Sequence, residues 1–201
     1  MTHNEVQVAA LLLAAGGGRR LGGRPKALLP HRGRPLVEHA VTTLRTAGLA
    51  RVHVVLGAAA DTVRRTARLD GCVLVENPAW EEGMGSSLRA GLESVARTRA
   101  RAVLVSLVDQ PGIGPEAVRR VVEAYEGEGS LVSAAYDGVR GHPVLFGSAH
   151  WAGIVEAATG DQGAREYLRG HRVRLVECGD VAEAYDIDVE ADLGRLESTE
   201  H

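Results

Sequence analysis

Six side chains in this 201-residue sequence have types and spacing suited to handling phosphate and a hard cation: Arg20, Lys26, Ser87, Asp109, Asp186 and Asp188. Arg20 and Lys26 lie in LLLAAGGGRRLGGRPKALLP (residues 11–30), where an apolar run gives way to three consecutive glycines and then to basic residues. Glycines let the backbone approach a ligand, and successive N–H groups can form an anion nest. Arg20 and Lys26 would add charge against a polyphosphate. Two familiar phosphate loops are excluded. A P-loop needs Gly-Lys followed by Ser or Thr, whereas Lys26 stands between Pro25 and Ala27. A dinucleotide fingerprint is met at Gly16 and Gly18 but broken at Leu21, and no acid ends the second strand. The remaining alternative is that the glycines only make turns.

Asp109 ends the apolar run of VLVSLVDQPGI, where a carboxylate suits Mg²⁺; alternatively it only caps the turn before Pro111. In AYDIDVEADL, Asp186 and Asp188 alternate along an extended segment and share a face, so either could supply a second carboxylate. Glu190 and Asp192 fit the first turn of a final helix, where acids are favoured. In ENPAWEEGMGSSLRAGL, Ser86 and Ser87 open a helix: one can cap it while the other faces a ligand. The eight histidines show no zinc spacing with a cysteine, and no GxSxG elbow occurs.

These residues need a scaffold, and apolar runs alternate with helical patterns almost throughout. Strands are predicted at 8–13, 52–56, 73–75, 102–107, 131–135, 144–146 and 173–176, and helices at 36–47, 60–69, 85–96, 115–125, 149–158 and 163–169. Asp137-Gly138 marks a turn. VHVVL and AVLVSL read as strands buried on both faces, which predicts a parallel sheet covered by helices in a doubly wound α/β fold. Ligands of such folds bind beyond the carboxyl ends of the strands. No repeat, linker or composition break divides residues 1–201, so one domain is expected.

A net charge of -3 argues against a general nucleic-acid or membrane binder. Its distribution is uneven: residues 6–37 hold six Arg or Lys and no acid, while residues 176–192 hold seven acids and no Arg or Lys. That asymmetry suits a phosphate cradle opposite a cation-binding edge, or two solvated faces. Cys72 and Cys178 read as buried thiols of a reducing compartment. Residues 1–7 lack a leader's basic region, and the longest apolar run is too short to span a bilayer, so a cytoplasmic protein is expected.

The chain resembles the MobA-like nucleotidyltransferases, whose pattern L-A-(A/G)-G-x-(S/G)-x-R-(M/L)-G…K-x-L is matched by Leu13, Ala14, Ala15, Gly16, Gly18, Arg20, Leu21, Gly22 and Lys26. NPAWEEGMGSSLRAGL, LVDQP, GHPVLF, GDQGAR and YDIDVEADL match further blocks in order. Ala14-Ala15-Gly16 is similar to the molybdenum cofactor cytidylyltransferase branch. The resemblance implies a Rossmann-like three-layer α/β fold with a mostly parallel mixed sheet. It implies transfer of NMP, CMP from CTP being favoured over GTP, to a phosphorylated acceptor such as molybdopterin, with Mg²⁺ as cofactor and pyrophosphate released. It places the nucleotide on Leu13, Ala14, Ala15, Gly16, Gly18 and Ser87, the triphosphate on Arg20 and Lys26, the metal on Asp109 and Asp188, and the acceptor near His142. A molybdoenzyme or maturation factor is the implied protein partner. The alternatives are a sugar- or polyol-phosphate acceptor, or a non-catalytic nucleotide-binding maturation factor.

Overall fold

The first strand, β1 (Val8–Ala14), has no polar side chain and is buried on both sides, which places it at the centre of a sheet. In a computed structural model describing residues 8–197, it is flanked by parallel neighbours β4 (Val52–Leu56) and β6 (Ala102–Leu107). Residues 1–7, read above for a leader, lie outside the described residues. Between β1 and β4 come a two-residue hairpin, β2 (Pro30–His31) and β3 (Arg34–Pro35), and helix α1 (Leu36–Thr46). The remaining elements are α2 (Ala60–Thr66), β5 (Val73–Glu76), α3 (Met84–Ala96), α4 (Pro115–Glu123), β7 (Leu131–Tyr136), β8 (Val139–Gly147), α5 (Trp151–Ala157), α6 (Arg165–Arg169), β9 (Arg174–Glu177) and α7 (Gly194–Glu197).

The seven-stranded sheet has the order β5-β4-β1-β6-β8-β7-β9. The sheet is mostly parallel and mixed, as the family resemblance implies: β8 runs antiparallel to both β6 and β7. The reversal follows from the two-residue turn at Asp137-Gly138, whose positive φ values suit a hairpin and leave no room for a crossover. β8 is also longer than the expected 144–146. The Gly141-His142-Pro143 stretch sits where the β7–β8 register shifts, and an irregularity of this kind is where proline is tolerated inside a sheet.

Alternation along β1 divides the core into two layers. Ala10, Leu12 and Ala14 pack with Leu36 and Val41 of α1 and Val118 of α4, while Ala9, Leu11 and Leu13 pack with Leu88 and Leu92 of α3 and Ile154 of α5. α3 crosses β1 closely at Gly91, where a Cβ would overlap the Leu11 methyls. Because β4 and β5 lie on one side of β1 and β6 on the other, the strand order reverses at the β1–β6 boundary. A crevice opens there at the carboxyl ends. No helix among the described residues is long and apolar enough to cross a membrane.

Candidate functional site

The glycine-rich loop leaves β1 and is fixed at its base by Leu21, which is fully buried. Gly18 has a left-handed backbone (φ 61°), and a side chain there would run into the Arg24 carbonyl, so only glycine fits this turn. The Gly18 carbonyl accepts from the Leu21 and Gly23 amides, and Arg19 and Arg20 are left exposed. The chain then returns: the Lys26 amide donates to the Gly16 carbonyl at 3.2 Å, laying the lysine stem along the start of the loop.

Lys26 is the meeting point of three segments far apart in sequence. Its Nζ is 2.5 Å from Asp109 Oδ2, just beyond the end of β6, and also bonds Asp188 Oδ1 from the C-terminal tail. The tail segment carrying Asp186 and Asp188 forms no strand. It is held by the Ile187 amide, which donates to the Asp109 carbonyl at 2.9 Å, and by the fully buried Ile187 side chain. Asp192 accepts from the Asp188 and Val189 amides at 2.9 Å, so this acid turns the chain within a 3₁₀ turn (Glu190–Leu193) that precedes α7. Asp186 points beside Asp188 and accepts from Gln110 Nε2 at 2.8 Å.

Burial opposes charge at Lys26, but the two carboxylates outweigh it and hold its ammonium above the ordinary pKa. Burial pushes the Asp109 carboxyl up, with Lys26 pulling in the opposite direction. Among the described residues no group of three or more His, Cys, Asp or Glu is placed to hold a metal. The donor set nevertheless fits a hard cation: Asp109 and Asp188 aim oxygens at one point that already carries a positive charge, the ammonium. Mg²⁺ needs only one or two carboxylates when phosphates complete its shell.

These groups line one cavity of about 1020 Å³ at the crevice. Leu13, Ala15, Gly16, Gly18, Arg20, Lys26, Ser87, Asp109, His142, Asp186 and Asp188 all line it. Ala14 does not: strand alternation turns its side chain into the opposite core layer.

The expected serine cap is also corrected. α3 starts from Gly83 without a side-chain cap, and both serines lie inside its first turn, where Asn77 donates from Nδ2 to Ser86 Oγ at 2.9 Å and Ser87 Oγ at 3.0 Å. Ser86 bonds the Ala79 and Gly83 carbonyls, while Ser87, 4% exposed, faces the cavity.

His142 lies on β8, its carbonyl accepting from the Tyr136 hydroxyl at 2.7 Å. Burial presses its imidazole down to about 4, so the ring is neutral near pH 7. Sequence reasoning missed Trp80, whose ring covers Gly17 and Gly57 at the cavity wall, and Arg140 and Arg165, which also line the cavity. In a chain with only 3% aromatics, a Trp beside Asn77-Pro78 was the available signal.

The MobA-like NTP transferase domain model matches residues 10–176, which span the glycine loop, Lys26, Ser87, Asp109 and His142. The chain belongs to this family. MobA-like relatives include a nicotine blue oxidoreductase of Paenarthrobacter nicotinovorans, 40% identical over 94% of this chain and 96% of that protein. A molybdenum cofactor guanylyltransferase of Shewanella amazonensis is 28% identical over 70% of this chain and 68% of its own length. Rv0371c of Mycobacterium tuberculosis, solved in complex with manganese, superposes with a TM-score of 0.75 at 30% identity, covering 96% of this chain and 100% of that one. Its transferase membership gives a common meaning to the loop, the lysine and the carboxylates: they occupy the crevice of a Rossmann-like nucleotidyltransferase fold.

Proposed function

We propose that this protein is a Mg²⁺-dependent nucleotidyltransferase that moves CMP from CTP to a phosphorylated acceptor of the molybdopterin type, releasing pyrophosphate. The observation carrying this reading is the Lys26 ammonium seated between Asp109 and Asp188 at the mouth of the glycine loop. Amides of Gly16 to Gly18 line the path of a triphosphate, and Arg20 and Lys26 neutralise it. Asp109 and Asp188 hold the metal, which when bound supplies charge neutralisation at the phosphates. Phosphoryl chemistry of this kind is mostly positioning and electrostatics, in keeping with a site built without an activated nucleophile.

Ser87 favours CTP. Because its oxygen accepts from Asn77, its own proton is left to donate into the cavity. The pairing edge of cytosine offers two acceptors, O2 and N3, beside its amino group, whereas that of guanine offers one acceptor, O6, beside N1–H and an amino group. His142, neutral and facing the same cavity, offers the acceptor one donor and one acceptor nitrogen without adding charge. The manganese complex of Rv0371c and the guanylyltransferase relative support the metal and the molybdenum-cofactor acceptor class.

A second reading, an oxidoreductase, is favoured by the 40% identical relative. Pyrophosphate release should be measured with ATP, GTP, CTP and UTP, with Mg²⁺, and with and without molybdopterin or sugar and polyol phosphates. NADH and NADPH oxidation runs in parallel. Molybdopterin-dependent release from CTP is the expected result. Release with another acceptor moves the substrate; nucleotide binding without any release leaves a non-catalytic maturation factor; nicotinamide oxidation alone gives the second reading.

A further inference from the structure

Asp188 stands on a tail that no strand pairing holds, yet it must meet Asp109 within a hydrogen bond's tolerance. Two histidines outside the cavity bridge the segments that carry these carboxylates. His31, on β2 and 4% exposed, has Nδ1 3.1 Å from the Leu196 carbonyl in α7, at the far end of the tail. A carbonyl only accepts, so Nδ1 carries the proton. His39, on α1, lies against the Pro111 carbonyl in the loop that begins at Asp109. The two rings meet edge to face, 4.6 Å apart at 86°.

Local sequence presents this pair. Arg32 (φ 49°) and Gly33 (φ 75°) make the two-residue turn between β2 and β3, and that hairpin leads straight into α1. His31 follows Lys26 by five residues, so the segment that delivers the ammonium also delivers one half of the bridge. Leu196 is buried in the same core layer as Ile187, so its carbonyl is a fixed anchor for His31.

We propose that His31 and His39 are positioning residues, a two-histidine clasp that ties the C-terminal tail to the Asp109 loop and so sets Asp188 opposite Asp109 on Lys26. The clasp acts through other groups, and neither histidine lines the cavity. Its consequence for turnover rests on the nucleotidyl-transfer reading; its consequence for the tail does not.

The test is amide hydrogen exchange of the full-length protein, His31→Leu and His31→Asn, combined with single-turnover pyrophosphate release from CTP. His31→Leu removes the bond to Leu196 while keeping apolar bulk, and His31→Asn keeps a donor near the Nδ1 position. The amides of Ile187, Asp188 and Val189 should exchange about tenfold faster in His31→Leu, the effect of losing one buried hydrogen bond, while β1 amides keep their protection. His31→Asn should restore both exchange and turnover towards wild type. Exchange at 187–189 within twofold of wild type in His31→Leu, or equal acceleration in β1, overturns the clasp. His39→Leu, which releases only the Pro111 side, takes its place if His31→Leu does not fold, with the same expected local acceleration. Absence of pyrophosphate release from the wild-type protein with every nucleotide would refute the transfer reading and leave the exchange result to decide the clasp.

Discussion

Replacing Lys26 by methionine keeps the four-atom apolar stem and removes the ammonium, so it isolates what that group does between Asp109 and Asp188. Lys26 and Asp109 are 15% and 18% exposed and 2.5 Å apart, close to the buried regime of ion pairs. Breaking such a pair from one side costs about 3–5 kcal/mol, because the remaining charge is left buried. The cost should depend on pH in a definite direction. Burial already raises the Asp109 pKa above 3.8 against the pull of Lys26, and removing Lys26 raises it further. A carboxyl whose folded pKa is raised binds its proton more tightly in the native state. The stability linked to it is therefore present at acid pH and lost as pH rises through the folded value. Urea denaturation should show Lys26→Met losing about 3 kcal/mol or more at pH 8 and less near pH 4, because a proton taken up by Asp109 removes its need for a counter-charge. In the transfer assay the same variant should lose about 10²–10³-fold in turnover, the scale of one deleted electrostatic contact. A stability loss equal at both pH values would falsify the assignment of Lys26 as the counter-ion of Asp109.

Three further outcomes are expected. Ser87→Ala should weaken CTP binding about tenfold while leaving GTP binding within twofold, by calorimetry; equal losses for both would remove the serine from base selection. His142, with its pKa pressed to about 4 from 6.5, makes the fold acid-sensitive. Its stability contribution is complete above 6.5 and falls by about 3 kcal/mol as pH drops towards 4, and His142→Gln should flatten that part of a urea stability profile. Gly91→Val drives two methyls into Leu11 at the α3–β1 crossing and should cost about 1–3 kcal/mol in thermal or urea unfolding, with unchanged stability refuting the close approach.

Much of the scaffold was legible because it obeys short-range rules. Two-faced apolar runs gave β1, β4 and β6, Pro115 opened α4, and Asp137-Gly138 made the turn before β8. The misses came where tertiary contacts override local preference. Pro143 inside β8 is accommodated by a register shift, which a pattern search treats as a strand break. Ser86 and Ser87 look like caps, but α3 begins two residues before them and both accept from Asn77, nine and ten residues away. Ala14 fits a family motif, yet the pleat of β1 turns it away from the cavity.

The sequence by itself determined which groups are available for chemistry: a glycine loop that is neither P-loop nor dinucleotide fingerprint, two basic residues after it, and carboxylates at one strand end and in the tail. Tertiary structure alone decided that Lys26 joins Asp109, 83 positions on, to Asp188, 162 positions on, and that Asp186 turns to Gln110 instead. The reason is physical. Spacing along a strand or turn fixes direction over a few residues, whereas three distant segments meet only when the sheet order reverses at β1 and β6 and a buried Ile187 carries the tail back across their ends.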